Sequence, residues 1–188
     1  MIVSIGVIAV LIGIVLPSLR GAHEAAKRTA CLVNLRELGL AAMLYMNDHD
    51  GVLPFAARVY SLPHGQIRPM DALGPYMDAP LPRLDSEGRV VTDAPFLCPA
   101  DRQFRPVGSI DGMSYAYMPA AFMGVAVPPL SEFAAARGVT RVFESTPSLP
   151  LFRDLASWHA SRAPDSLASR VGRNHVRYDM VVGHADSK

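Results

Sequence analysis

Two hydrophobic patterns succeed one another at the start of the chain. From Met1 to Leu16 the residues are almost all Ile, Val, Leu, Ala and Gly; Ser4 is the only polar side chain, and no charge precedes Arg20. Beyond Pro17 the pattern becomes periodic. Leu32, Leu35, Leu38, Ala42 and Tyr45 recur at spacings of three and four, which lays an apolar stripe along one face of a helix. Arg28, Arg36 and Glu37 fall on other faces, and Glu24 stands four residues before Arg28, a spacing that supports a helix. Asn47, Asp48 and Gly51 supply a stop. No turn cluster comes after Pro17, so the spacing predicts one long helix kinked at that residue, lipid-like in its first half and amphipathic in its second.

The first half is short for its composition. Sixteen residues make a helix of about 24 Å, against a bilayer core of about 30 Å. A secretory signal would carry basic residues before the apolar run and a small-residue cleavage site after it, and neither is present. A core helix would usually be polar on one side. A membrane-inserted helix is therefore favoured over an uncleaved signal or a core helix. Arg20, Lys27 and Arg28 lie beyond the run, and charge bias alone would place the C-terminal domain in the cytoplasm.

After the helix the signals are shorter. Residues 52–70 hold three prolines and read as loop. "PMDALGPYM" suits a short helix, and the segment around Ser86, Glu87 and Gly88 a loop or an irregular hairpin. "MSYAYM" alternates aromatic and small residues as a strand does. "LSEFAAARG" reads as a short helix stopped by Gly138, and "VTRVFES" and "VRYDMVV" as strands. The sum is an α+β chain: a long helix, a small antiparallel sheet and long loops.

Charge and candidate chemistry change this picture little. Eighteen basic and seventeen acidic residues leave a net charge of +1, which gives no footprint for nucleic acid. Asp48, His49 and Asp50 are consecutive and match no calcium loop, so they read as a polar helix terminus. Ser114, Ser145 and Ser157 lack a nucleophile-elbow setting. In "ASWHAS", Trp158 reads as a packed aromatic and His159 as its surface neighbour. His175 and His184 flank a predicted strand and read as turn or edge histidines. No catalytic residue, metal site or cofactor is expected. Cys31 and Cys98 form no C-x-x-C, which removes support for zinc-ribbon and thioredoxin readings.

Four stretches together carry a resemblance: "VLPSLRGAHEAAKRTACLVNLRELGLAAMLYMNDHDGVLP", "FLCPAD", "MSYAYM" and "RNHVRYDMVVGHAD". They resemble the type IV pilin-like and type II secretion pseudopilin group, above all its members with a prepilin-type cleavage and methylation segment. The resemblance implies a pilin-like fold. Residues 1–19 would be the transmembrane and assembly half of the helix, marked by Met1, Ile5, Val10, Ile14, Leu16 and Pro17. Residues 20–188 would form an extracytoplasmic domain that includes the amphipathic half at about 20–47. The family's basic leader, cleavage site and "FTLIE"-like start are missing, which implies a native product that begins upstream. Its topology overrides the charge bias. The family's C-terminal motif of His, spacer and Asp-Gly-His is matched by His175, Gly183 and His184, with Val182 in place of the Asp.

The implied function is structural: a pseudopilin-like subunit anchored in the inner membrane, which assembles with other pilin-like subunits through its N-terminal helix. Its further partners would be the assembly machinery and a prepilin peptidase. Two other readings stay open, a membrane-anchored periplasmic His/Asp metal-dependent hydrolase and a monomeric exported binding module. In an exported domain two distant cysteines suggest a disulfide, and the family often places cysteines here; two buried thiols are the alternative.

Overall fold

The structure, a computed structural model, describes residues 2–56, 68–101, 112–123, 131–156, 159 and 173–185, with the side chains of 2–10, 17 and 185 outside that description. Met1, Ser157, Trp158 and the side chains of Ile5, Val10 and Pro17 thus lie outside it.

Helix α1 runs unbroken from Ile2 to Asp48, through Pro17. Its stop is as the sequence implies. Gly51 N–H donates to Met46 O, and Asp50 and Gly51 take positive φ values of 51° and 73°. The buried stripe is Cys31, Asn34, Leu35, Leu38, Ala41, Ala42 and Met46. Leu35, Leu38 and Ala42 are the expected core residues, but Leu32 and Tyr45 are only half-buried. The stripe is rotated towards Cys31 and Asn34, because both are tied to the domain by specific bonds. Among the described residues no helix is long and apolar enough to cross a membrane. From Leu11 the described apolar side chains reach only Leu19 before Arg20.

After α1 come α2 (Pro69–Leu73), a single 3-10 turn (Gly74–Tyr76), and the hairpin β1 (Arg83–Leu84) and β2 (Val90–Val91). Next are β3 (Tyr115–Tyr117), α3 (Ala120–Met123), α4 (Glu132–Ser145), β4 (Pro150–Asp154), β5 (Arg173–Arg177) and β6 (Val182–Ala185). Strands β3 to β6 form an antiparallel sheet in sequence order. The architecture is therefore α+β, with a long N-terminal helix and two small antiparallel sheets.

Three expectations are corrected. Gly138 does not stop a helix: α4 passes through it, and "VTRVFES" is the second half of α4, not a strand. Ser131 caps the helix by accepting from Ala134 N–H. Ala135, Ala136, Val139, Thr140 and Phe143 then bury one helical face. Core contact along that face outweighs the strand preference of Val139, Thr140 and Val142. "VRYDMVV" is likewise not one strand, because Tyr178–Val181 form the turn between β5 and β6, with Met180 at φ 64°.

The sheet lies on α1 where the helix has no side chain. A Cβ at Gly39 would come within 2.9 Å of Met180 Cε and 3.2 Å of Val176 Cγ2. Glycine thus lets the β5–β6 hairpin settle on the helix. Val176 faces α1, so alternation along the strand turns Asn174 the same way and His175 outward. Pairing of Asn174 with His184, and of His175 with Gly183, extends this to β6.

Candidate functional site: a buried polar cluster beside a disulfide

Cys31, on α1, and Cys98, in the loop before β3, are joined with an S–S distance of 2.03 Å. Phe96 and Leu97 N–H groups donate to Asp93 O, and Asp101 N–H to Cys98 O, so tight turns hold this loop. Asn34, one helical turn beyond Cys31, donates from Nδ2 to Leu97 O at 3.0 Å and to Tyr115 Oη at 3.1 Å. The helix, the loop and β3 are thereby fixed together by one covalent link and two hydrogen bonds, the one to Tyr115 buried and the one to Leu97 part-buried.

His159 enters this junction, contrary to its reading as a surface residue: its side chain is only 3 % exposed. Its Nε2 lies 3.6 Å from Cys98 Sγ and 3.8 Å from Asp154 Oδ2. Asp154 is fully buried at the end of β4, where its Oδ2 accepts Asn174 N–H at 2.7 Å and its Oδ1 has no hydrogen-bond partner among the described residues. Asn174 Oδ1 accepts from His184 Nδ1 at 2.8 Å, and the His184 ring is 6.4 Å from that of His159. On the far side, Ser114 Oγ donates to Asp101 Oδ2 at 2.5 Å.

Burial decides the charges. It pushes the Asp154 carboxyl well above the usual carboxylate range, against the pull of the Asn174 N–H and Arg173. Burial, reinforced by His184 and Arg28, lowers His159 to about 4. The Asp154 carboxyl thus holds its proton more tightly than a free carboxyl, and it faces an imidazole that is neutral at neutral pH. Cys98 and Asp154 approach the same imidazole nitrogen. A nucleophile–base–acid relay needs them on opposite nitrogens, so the trio lacks the triad geometry. Ser114 is committed to Asp101, and Ser145 Oγ donates to the Val142 carbonyl.

The expected C-terminal motif is divided by the sheet. His184 joins the buried cluster, while His175 lies on the other face with its Nε2 3.0 Å from where a Gly183 Cβ would be. His175 helps to line an outer cavity of about 350 Å³ with Phe122, Phe143, Arg153 and Arg173. Burial and Arg177 lower its pKa. His49 caps the end of α1 as a polar terminus, stacked on Tyr45 at 3.8 Å with Nδ1 2.8 Å from Tyr45 O.

Sequence reasoning found the two cysteines and missed His159, Asp154 and Asn174. No local pattern joins them: His159 meets a sulfur 61 residues away, and Asp154 a backbone amide 20 residues away. A buried carboxylate in "PLFRDL" is the one signal that could have been read, had that segment been recognised as a strand. No protein-family model, curated protein or solved structure matches this chain.

Proposed function

We propose that the chain is a pseudopilin-like structural subunit. It would assemble with other pilin-like subunits through the first half of α1 in a type II secretion or type IV pilus-like system. Its helix would associate with the inner membrane and its sheet domain would stand outside the cytoplasm. One observation carries this reading. Leu11, Ile12, Ile14, Val15, Leu16 and Leu19 are all exposed on one continuous helix that is built into the domain from Cys31 onward. Apolar surface of this extent marks a place where another apolar surface belongs. The α+β architecture and the helix continuous through Pro17 agree with the fold that the resemblance implies.

Thiol cross-linking tests it. The described cysteines are both paired, so an Ile14→Cys substitution adds a thiol to the exposed stripe, and Arg89→Cys adds one to the exposed β1–β2 hairpin. In envelope preparations of the full chain, mild oxidation should yield linked dimers through position 14 and few through position 89. Equal linkage at both positions, or none at position 14, would refute assembly through α1.

A further inference from the structure

We propose that Cys31, Cys98 and His159 form a redox-gated zinc site. Oxidised, the site is closed as a disulfide. Reduced, it holds one zinc ion between two thiolates and an imidazole.

The two Sγ atoms and an imidazole nitrogen of His159 all lie within 4.8 Å of one another. Tetrahedral zinc binds sulfur at about 2.3 Å and imidazole nitrogen at about 2.0–2.1 Å, so adjacent ligands stand roughly 3.5–3.8 Å apart. The 3.6 Å between Cys98 Sγ and His159 Nε2 is already such a separation. What must change is the sulfur pair, which opens from 2.03 Å to about 3.8 Å. The cysteine Cα atoms, 5.2 Å apart, allow this by side-chain rotation. Asp154, with Oδ2 3.8 Å from the same nitrogen, is near but outside this ligand set, so a tetrahedral ion held by the three residues would keep water in its fourth position. Thiolate and imidazole donors favour zinc over calcium or magnesium.

The chemistry balances with a dithiol as reductant. One thiolate of the dithiol attacks the cystine, and its second sulfur displaces the mixed disulfide. The dithiol leaves as a cyclic disulfide, having passed two electrons and two protons to Cys31 and Cys98. Zinc then replaces the two thiol protons, which go to solvent. The three ligands come from α1, the loop before β3 and the segment after β4. The ion would therefore take over the tether between helix and domain in a chain not yet oxidised. This does not depend on the assembly proposed above.

The full chain, reduced with dithiothreitol and desalted without oxygen, is titrated with Zn²⁺ against a chromophoric chelator, and separately with Co²⁺. We expect one zinc per chain and a thiolate-to-cobalt charge-transfer band. Zinc should also raise the thermal midpoint of the reduced chain, or refold it if reduction unfolds it. The oxidised chain should show none of these. His159→Ala, folded normally when oxidised, should bind zinc roughly tenfold or more weakly when reduced. The proposal is overturned if the reduced chain takes up no zinc, if zinc neither stabilises nor refolds it, if the oxidised chain binds equally well, or if His159→Ala binds as tightly as wild type.

Discussion

The two halves of α1 share one backbone and much the same residue types, yet they live in different surroundings. Leu16 is 52 % exposed and Leu35 is wholly buried. The difference lies in what breaks up the apolar residues. Residues 2–16 carry apolar side chains all round, so no single face is marked for the domain. From Cys31 onward, Arg36 and Glu37 mark the solvent side, leaving a stripe that a sheet can cover. Hydrophobicity tells how much surface seeks cover; periodicity tells whether the chain can cover it itself.

The sharpest way to break the comparison is to cut the link at its boundary. Replacing Cys31 and Cys98 by Ala removes a cross-link over 67 residues, which should cost about 4 kcal/mol on the chain-entropy account. Chemical denaturation of the full chain measures it, and a loss below about 1 kcal/mol would mean that the helix needs no covalent tie. Next, matched truncations should separate the halves. Leu38→Ala should cost about 2–5 kcal/mol, and Leu16→Ala less than about 0.5 kcal/mol in the monomer. Similar losses at both positions would erase the distinction.

A third test uses the protons of the buried cluster. The folded-state pKa of Asp154 is raised, so the folded chain keeps a proton that the unfolded chain releases near pH 3.8, and this contribution to stability falls as pH rises. His159 works the other way. Lowered from 6.5 to about 4, it makes stability rise with pH across that window, because the unfolded state is the one that binds the proton. Asp154→Asn removes the first dependence and keeps the second. Relative to wild type it should therefore gain stability as pH rises above about 3.8, as read from denaturation midpoints at each pH. A constant difference would mean that Asp154 is ionised in the fold. The smallest effect expected is at Gly138. A Cβ there meets nothing within 4 Å inside α4, so Gly138→Ala should raise stability by about 0.5–1 kcal/mol.

Gly138 also marks where the sequence could and could not be read. Local signals succeeded where partners are near in the chain: the stop of α1 at Asp48, the strand "YAY", the hairpin around Gly88. They failed where distant contacts overrule them. Val139 and Thr140 look like strand residues, but Thr140 Oγ1 accepts the Leu53 N–H, 87 residues away, and Val139 meets the core. Strand β4 went unrecognised because it opens with Pro150 and carries Arg153 and Asp154 among its apolar residues. The cluster was legible only through its cysteines, since His159 and Asp154 acquire their character from burial, which neighbours in sequence do not encode.

The position of the disulfide has a mechanical consequence. Among the described side chains Cys31 is the first fully buried one met along α1 from Leu11, and it is covalently tied to the loop that leads into β3. A pull on the exposed half of the helix would reach the domain there, before any of the packed turns beyond it. The load would pass through the sulfur pair into the Cys98 loop, while Asn34 holds the next turn to Leu97 and Tyr115. The helix would then resist tension as a rod clamped at one point, and its last four turns would be spared from peeling off the sheet one contact at a time.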